Sequence, residues 1–288
     1  LDATEPEPVY FLARLWNDQQ QALTYKEIQE AIQNGYLDQK TLQAWQDDYG
    51  NFVNEHLKPI WTEAMLAANE ELMAKHPDYF FDPMSQEVLK WTNEHGAEWV
   101  TVIADEQKEA ISAMLDHSFS GNFSVDELAR VIRPTVGLNK IQSKANVNYY
   151  MHIKKTLMDN NPGMKESEAM KRARDAAQKY AAKQHRQRAF TIATTEMAFA
   201  YNKGADEGMK QAQAQNLVGK AVKVWSTAAD EGVCTICGGL DGTEIDMGED
   251  FNFKGHTLYS GQKQTPPAHP RCRCAVLYIE KEPPKYQP

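Results

Sequence analysis

Apolar residues in the N-terminal part of the chain recur every three or four positions, which is the spacing of one buried face of an α-helix. Leu23, Ile28 and Ile32 show this spacing in a stretch that ends at Asn34 and Gly35. An Asn-Gly pair is typical of a helix C-terminus, because glycine adopts the left-handed conformation that ends many helices. We therefore predict helix up to residue 34.

The same helical pattern continues to about residue 120, with prolines and glycines as candidate breaks. Pro59 and Pro77 should bend or end helices, because proline lacks a backbone N–H and its ring clashes with the preceding turn. Gly96 and Gly121 should break the helical stretch in which they lie, because glycine is a weak helix former. We predict an acidic helical N-terminal region over residues 1–120.

Helical patterning extends well beyond this region. Ser124 and Glu127 fit a capping box, in which each side chain caps the other's backbone N–H, and a short helix should then end before Pro134. Residues 136–163 indicate a helix closed by Asn-Pro-Gly. Residues 165–216 are nearly all strong helix formers, so we predict two helices there or one long kinked helix.

After Gly219 the pattern changes to short runs of branched and aromatic residues, which is typical of β-strands. The runs AVKVWST and CAVLYIE are separated by a glycine-rich loop. The predicted fold class is mainly α, an elongated multi-helix body with a small C-terminal β-containing unit that zinc stabilises. The predicted divisions are an acidic helical region (1–120), a helical core (121–218) with a basic segment (140–190), a β-containing Cys/His unit (219–280) and a flexible tail (281–288).

Charge is distributed unevenly along the chain, whose formal net charge is −9. Residues 1–120 carry 7 basic and 22 acidic side chains, whereas residues 140–190 carry 12 basic and 4 acidic ones. A basic segment in an acidic protein is a candidate for contact with phosphate groups or an acidic partner, although a solvated face of mixed charge remains the alternative. The candidate contact residues are Lys171, Arg172, Arg174, Lys179, Lys183, Arg186 and Arg188.

The sequence has no apolar run of about 18 residues, so we expect no transmembrane helix. The pattern of a secretory signal is also missing from the residues given, which favours folding in a reducing cytosol. In that compartment, clustered cysteines indicate metal or redox chemistry more often than disulfide bonds.

All four cysteines lie in two short stretches near the C-terminus. Cys234 and Cys237 have the C-x-x-C spacing that lets a tight turn direct two thiolates at one metal ion, and His269 lies three residues before Cys272. A tetrahedral zinc would tie together the two predicted strands beside these stretches. We predict Cys234, Cys237, His269 and Cys272 as ligands, with Cys274 as the competing fourth ligand. A set of four cysteines without the histidine also remains open.

Two other interpretations of the cysteines stay open: disulfide bonds, if the protein resides in an extracellular particle, and unliganded thiols packed as small apolar residues. A thioredoxin-like redox pair is disfavoured, because GGLDG rather than a helix follows the C-x-x-C motif. Catalytic zinc is disfavoured too, because no H-E-x-x-H motif accompanies the cluster. We therefore expect a structural site and no catalytic residue.

Two titratable residues within 165–216 have other candidate roles. Glu196 is either a buried functional carboxylate or a packing residue paired with a nearby arginine such as Arg188. His185, flanked by basic residues, is expected to be exposed. No phosphate-binding, dinucleotide-binding or nucleophile-elbow motif occurs in the sequence.

Taken jointly, the motifs of residues 110–280 resemble those of the phage head morphogenesis family, the minor head proteins similar to protein F of phage Mu. The family pattern begins on a helix, at Arg188, Ala189, Ile192, Ala193, Thr195, Glu196, Ala200, Asn202 and Gly204. It continues at Trp225, Asp230, Cys234, Cys237, Leu240, Asp241 and Gly242. It closes at Pro266, Pro267, His269, Pro270, Cys272, Arg273 and Cys274.

This resemblance implies a non-enzymatic minor capsid protein of a tailed phage, bound at or near the portal vertex of the virion. Such a protein would assist head assembly, DNA packaging or DNA release. Its implied partners are the portal protein, the major capsid protein and packaged double-stranded DNA, which basic side chains would contact without sequence preference. Glu196, Asn202, Trp225, Asp241 and Gly242 are implied as structural residues of the family motif.

Two alternatives belong to other functional classes. A metal-dependent nuclease is motivated by the basic segment together with the metal-like cysteine cluster. A stand-alone nucleic-acid-binding protein would show binding that depends on sequence or persists in high salt.

Overall fold

The computed structural model describes residues 7–118, 124–253 and 263–284, apart from the side chains of residues 116–118. Most of these residues are helical and a small antiparallel sheet lies near the C-terminus, which confirms a mainly α class with a small C-terminal β-containing unit. Contacts divide the chain into two compact units. The first unit contains Leu1–Phe52 and Trp99–Phe190, and the second contains Val53–Glu98 and Thr191–Pro288. The predicted division into regions by sequence character stays a prediction.

Helices and strands of the described residues follow in one order along the chain. The α-helices are α1 (Glu7–Ala22), α2 (Tyr25–Asn34), α3 (Gln39–Phe52), α4 (Lys58–Ala68), α5 (Glu70–Lys75), α6 (Gln86–Ser118), α7 (Val125–Ile132), α8 (Lys140–Asn160), α9 (Glu166–Ala214) and α10 (Thr235–Leu240). A π-helical turn, Val53–Leu57, precedes α4, and a 3-10 turn, Arg133–Thr135, follows α7. The strands are β1 (Ala221–Ser226), β2 (Glu244–Asp246) and β3 (Ala275–Glu280).

The N-terminal helical stretch contains a break that the apolar spacing does not reveal. Thr24 separates α1 from α2 and forms a capping box with Glu27, in which each residue caps the other's backbone N–H. The Thr-x-x-Glu signature was present in the sequence and would have located this break. The predicted end at Asn34 is confirmed, because Gly35 has a φ of 81° and its N–H donates to the Ala31 carbonyl.

Not every predicted breaker acts as one. Pro59 lies in the first turn of α4 and Pro77 follows the end of α5, as predicted. Gly96 does not break its helix, because α6 runs through it without interruption. A Cβ atom at Gly96 would meet Val53 Cγ1 at 2.9 Å, so this glycine permits close packing instead. Gly121 lies outside the described residues.

The capping box predicted at Ser124 forms only in part. The Ser124 hydroxyl accepts a hydrogen bond from the Glu127 backbone N–H at 3.1 Å. The Glu127 carboxylate, however, accepts from the Tyr150 hydroxyl and lies 3.3 Å from Lys154 Nζ. Glu127 is only 5% exposed. Its carboxylate therefore binds the buried Tyr150 hydroxyl instead of the backbone N–H of Ser124 at the start of α7.

The two predicted helices between residues 136 and 216 are confirmed. Helix α8 ends at Asn160, before the Asn-Pro-Gly sequence. Helix α9 is one element of 49 residues, and neither Gly204 nor Gly208 interrupts it. Of the two alternatives predicted for residues 165–216, two helices or one long kinked helix, the structure shows a single helix that is not divided into two.

A buried chain of hydrogen bonds lies in the core of the first unit. Trp16 Nε1 donates to the Tyr49 hydroxyl at 3.1 Å, and this hydroxyl donates to the Gln107 side-chain carbonyl. The Gln107 amide in turn lies 3.4 Å from Gln19 Oε1. Burial raises the pKa of Tyr49 well above its ordinary value. These hydrogen bonds give each of the buried polar groups a partner, and burial of the same groups without partners would be costly.

His185 belongs to the same core, so the expectation that it is exposed was wrong. Its side chain packs beside Trp16, with ring centroids 5.7 Å apart, and its Nε2 lies 2.8 Å from the Val136 carbonyl oxygen. Burial lowers the pKa of His185 to about 4. The imidazole is therefore neutral at pH 7 and donates its Nε2–H to Val136.

We predict a specific loss of stability in acid from this histidine. Because its folded-state pKa lies below the unfolded value, the unfolded chain takes up a proton first as the pH falls. The contribution of neutral His185 is complete above pH 6.5 or so and is lost as the pH falls toward 4, by about 3 kcal/mol. The expected result is that the difference in unfolding free energy between wild type and His185→Gln shrinks by about this amount between pH 7 and pH 4.5.

Denaturant titrations at a series of pH values measure this difference. His152→Gln, at an exposed position of α8, is the matched control and should leave the free energy of unfolding within about 0.5 kcal/mol of the wild-type value. A difference for His185→Gln that stays constant over this range would contradict the prediction.

Candidate metal centre

A three-stranded antiparallel sheet forms the framework of the site. Its strand order is β2-β1-β3, with β1 in the centre. Trp225 of β1 lies opposite Val276 of β3 and is 1% exposed. The two predicted strands are confirmed, whereas β2 was not predicted because its three residues, Glu244–Asp246, are too few to show a pattern.

The first cysteine loop follows β1. Cys234 is the N-cap of α10, and its Sγ accepts a hydrogen bond from the Cys237 backbone N–H at 3.4 Å. The expectation that no helix follows the C-x-x-C motif was therefore wrong. Capping by a cysteine sulfur allows this six-residue helix to begin within the motif.

Asp241 and Gly242 return the chain to β1. The Gly242 N–H donates to the Trp225 carbonyl at 2.9 Å, and the Asp241 carboxylate accepts from the Thr227 N–H at 2.9 Å. Gly242 has a φ of +73°, which a residue with a side chain rarely adopts. These residues of the family motif therefore shape the turn that follows α10.

The second cysteine loop precedes β3 and is joined to the first loop by an exposed ion pair. The two terminal guanidinium nitrogens of Arg273, Nη1 and Nη2, each donate to one oxygen of the Asp230 carboxylate at 2.6 Å. This hydrogen bonding holds the pKa of Asp230 below its usual range. The Cys272 N–H donates to the His269 carbonyl at 3.1 Å, so a tight turn connects these two residues.

The five predicted side chains meet in two overlapping groups. Ligand atoms of Cys234, Cys237 and His269 lie within 4.8 Å of one another, as do those of Cys237, Cys272 and Cys274. His269 Nε2 is 3.2 Å from Cys234 Sγ and 3.3 Å from Cys237 Sγ. Cys237 Sγ is 3.7 Å from Cys272 Sγ. The site can therefore hold a metal ion.

These distances fit a tetrahedral ion better than a disulfide bond. A disulfide requires two sulfur atoms about 2.05 Å apart, and all four cysteines are free. In a tetrahedral zinc site, two sulfurs lie about 3.8 Å apart and a sulfur and an imidazole nitrogen about 3.6 Å apart. The Cys237–Cys272 separation agrees with the first value, and the two distances to His269 are slightly shorter than the second.

The four thiols differ in acidity. A hydrogen bond from Cys274 holds the pKa of Cys272 down to about 5, whereas burial raises the pKa of Cys237 to about 12. The hydrogen bond to Cys272 raises the pKa of Cys274 above its ordinary value. A cysteine binds a metal ion as the thiolate, so metal binding at this cluster would release protons from the thiols that are still protonated.

Helix α9 holds the second loop in place. The Thr195 hydroxyl accepts a hydrogen bond from the Arg271 N–H at 3.0 Å. About two turns further along α9, Asn202 Nδ2 donates to the Cys274 carbonyl at 3.3 Å, and Asn202 Oδ1 accepts from the Val276 N–H at 3.0 Å. The helix motif and the cysteine motif are therefore two parts of one structure, which the sequence pattern alone did not reveal.

Glu196 has a buried histidine as a partner, whereas Arg188, the arginine suggested for it, pairs elsewhere. Its carboxylate lies 2.7 Å from His95 Nε2, and the side chains are 2% and 0% exposed. His95 also stacks on Trp91, with ring centroids 4.5 Å apart. Arg188 pairs instead with Glu106 at 2.6 Å. His95 was missed because nothing in its local sequence distinguishes it.

Lys223 is a second buried residue that strand alternation did not identify. It is 0% exposed, and its Nζ donates to the Glu249 and Gln264 carbonyls, both at 3.0 Å. Burial lowers the pKa of Lys223. Lys223 therefore links two segments of the chain between β2 and β3, at Glu249 and at Gln264.

The basic segment presents most of its predicted cations to solvent. Lys171, Arg172, Lys179, Lys183 and Arg186 are exposed, and Arg174 is half-buried. Arg188 is the exception, since it is 7% exposed and paired with Glu106, so this prediction of a contact residue was wrong. At 100° per residue, Arg172, Lys179, Lys183 and Arg186 share one stripe of α9.

Among the described residues, three or more potential metal ligands come within reach of one ion in the two overlapping groups of this site. Within the same residues, none of the helices combines the length and apolarity that crossing a membrane requires.

Comparison with known families supports the resemblance that the motifs indicated. Residues 148–277 match the family model described as Phage Mu protein F like protein. This segment runs from α8 into β3 and contains every residue of the candidate metal centre. The match supports a relation of this segment to the phage head morphogenesis proteins, a family that suggests association with the virion. Searches of curated proteins and solved structures gave no significant match.

Gly204 of the family motif yields a prediction about the packing of α9. A Cβ atom there would lie 2.4 Å from Met65 Cα, and the Gly204 carbonyl accepts a hydrogen bond from Asn69 at 2.9 Å. Because the obstacle is backbone, we expect Gly204→Ala to lower the free energy of unfolding by about 1–3 kcal/mol.

Denaturant unfolding measures this effect, and Gly50→Ala is the matched control. Gly50 is also within a helix, but a Cβ atom there meets nothing within 4 Å. The control should therefore raise stability by about 0.5–1 kcal/mol, through the better helix propensity of alanine. Equal effects of the two substitutions would show that α9 does not pack closely at Gly204.

Proposed function

We propose that this protein is a minor head protein that binds at or near the portal vertex of a tailed phage and assists head assembly or DNA packaging and release. The observation that carries the proposal is the agreement between the family match and the site. The matched segment, 148–277, contains both the α9 residues that hold the second loop and all five candidate ligands. The part of this segment that lies in the second unit, residues 191–277, contains all of these side chains, and we call it the Cys/His module.

The metal in this module is zinc, held by Cys234, Cys237, His269 and Cys272. Thiolate and imidazole ligands favour zinc over magnesium or calcium, which prefer oxygen. Cys274 supports Cys272 by a hydrogen bond and is the competing ligand. When bound, zinc supplies a structural cross-link between the two loops rather than a reaction.

Such a cross-link suits a docking element. The apolar core around Trp225 is small and contains Phe251 and Phe253, so burial alone gives this part of the chain limited stability. A metal that joins its loops fixes their conformation before any partner arrives. Binding then costs less conformational entropy, because less of the surface has to become ordered.

The exposed cations of α9 support a further part of the proposal, contact with packaged double-stranded DNA. Arg172, Lys179, Lys183 and Arg186 lie on one stripe, and phosphate contacts of this kind are independent of sequence and weaken with salt. The role requires no chemistry, and we propose that the protein is not an enzyme.

The zinc proposal predicts about one zinc per chain for protein purified under reducing conditions. Cys237 belongs to both ligand groups, so Cys237→Ser should lose the metal and lower the midpoint of thermal unfolding. Cys274→Ser should retain most of the zinc if Cys274 is a supporting residue. Elemental analysis together with thermal unfolding, with and without a chelator, measures both effects.

If Cys274→Ser loses zinc as completely as Cys237→Ser does, Cys274 is a ligand. It would then take the place of His269 or of another member of the proposed ligand set. Wild-type protein without stoichiometric metal, and with an unfolding midpoint that chelators leave unchanged, would contradict a structural zinc.

The head-docking proposal predicts that the purified chain binds the portal protein or the major capsid protein of its own phage. Pull-down and titration with each purified protein test this directly. The expected result is saturable binding to at least one of them and no cleavage of plasmid DNA with magnesium or manganese. Absence of binding to both would overturn the docking role, and cleavage that Glu196→Gln or His269→Gln abolishes would establish the nuclease alternative.

A further inference from the structure

The connection between α5 and α6, residues 76–85, presents two large apolar side chains to solvent; we call it the 76–85 loop. Phe80 is 74% exposed and Met84 is 68% exposed. A single exposed apolar residue is common on protein surfaces and needs no explanation. These two exposed side chains differ from that ordinary case, because buried and hydrogen-bonded neighbours fix the loop that carries them.

Two buried aromatic rings anchor the loop on either side of Phe80. Tyr79 is 0% exposed and Phe81 is 5% exposed, so the side chain between them is directed outward. The Tyr79 hydroxyl donates to the Gly208 carbonyl of α9 at 2.9 Å. Phe80 therefore could not turn inward without displacing a neighbour that is already buried.

Polar contacts fix the second half of the loop. The Asp82 N–H donates to Gln211 Oε1 at 2.8 Å, and Gln211 Nε2 donates back to the Asp82 carbonyl at 3.1 Å and to Ser85 Oγ at 3.2 Å. The Asp82 carboxylate accepts from the Met84 N–H at 2.8 Å. Pro77 and Pro83 restrict the backbone further. The loop is therefore ordered in advance, which reduces the entropy lost when it binds a partner.

The surroundings of the two exposed side chains are acidic. Asp78, Asp82 and Glu87 are exposed, while Lys75 and Lys90 each face a glutamate of their own helix in an i,i+4 ion pair. Nucleic acid and anionic lipid surfaces carry the same negative sign, so they are poor partners for this surface. An apolar groove bordered by lysine or arginine on a protein is complementary to it.

We propose that the 76–85 loop is a protein-docking element, in which Phe80 and Met84 insert into an apolar groove with a basic border on another head protein. Rigid aromatic anchors account for much of the affinity of many interfaces, and methionine adapts its shape to irregular grooves. The inference rests on the proposed function, which provides the portal protein and the major capsid protein as the partners to test.

The test uses the full chain and these two purified proteins as probes. Phe80→Ser with Met84→Ser should weaken binding to the probe that wild type binds by about tenfold or more. Ile141→Ser is the matched control, because Ile141 is 79% exposed and lies on α8 in the first unit; it should change the affinity by less than about twofold. Thermal unfolding should be the same for all three proteins, since the altered side chains are exposed.

A second pair of substitutions tests the charge. Asp78→Lys with Glu87→Lys should weaken the same complex by slowing association, and wild-type binding should weaken as salt is added. Asp82 is left intact because it holds the loop.

The outcomes separate the loop from the proposed function. If wild type binds a probe and the Phe80/Met84 variant binds it as tightly as the Ile141 control does, the docking loop is wrong and the function stands. If wild type binds neither probe, the proposed function fails and the loop proposal fails with it.

Discussion

The attachment of the second cysteine loop to α9 is the constraint on which the candidate metal centre depends. Thr195 and Asn202 bind backbone groups of Arg271, Cys274 and Val276. Without these bonds, three of the five candidate ligands would belong to a loop held by its own turns, by β3 and by the exposed Arg273–Asp230 ion pair. A long helix is a stiff support, because each of its residues is held by the backbone bonds of its neighbours. The ligands therefore inherit their geometry from a helix about seventy residues earlier in the chain.

This arrangement explains why a helix motif and a cysteine motif occur together in the family pattern. Gly204 allows α9 to pack closely against Met65, and Glu196 binds His95. On the same helix, Thr195 and Asn202 contact the second loop. These four motif residues thus each make a defined contact within the second unit.

Sequence reasoning succeeded where the determining interactions are local. The fold class, the ends of α2 and α8, and the strands β1 and β3 follow from periodicity, capping and side-chain branching. The five candidate ligands were found because cysteine spacing reports directly on the geometry of a turn. Close packing at Gly96, the burial of His185 and the pairing of Glu196 with His95 depend on residues far apart in sequence. Composition gives the same local signal for an exposed basic-flanked histidine as for a buried one.

The contact between Asn202 and β3 has a consequence for self-association. Strand β3 lies at the edge of the sheet, and the Asn202 side chain binds its Val276 N–H and the carbonyl of Cys274, the residue before the strand. An unpaired edge of this kind is a template onto which a strand of a neighbouring molecule can add. The amide of Asn202 occupies one donor and one acceptor of that edge, much as a passing strand would. This contact therefore hinders the addition of another strand at the β3 edge of the sheet.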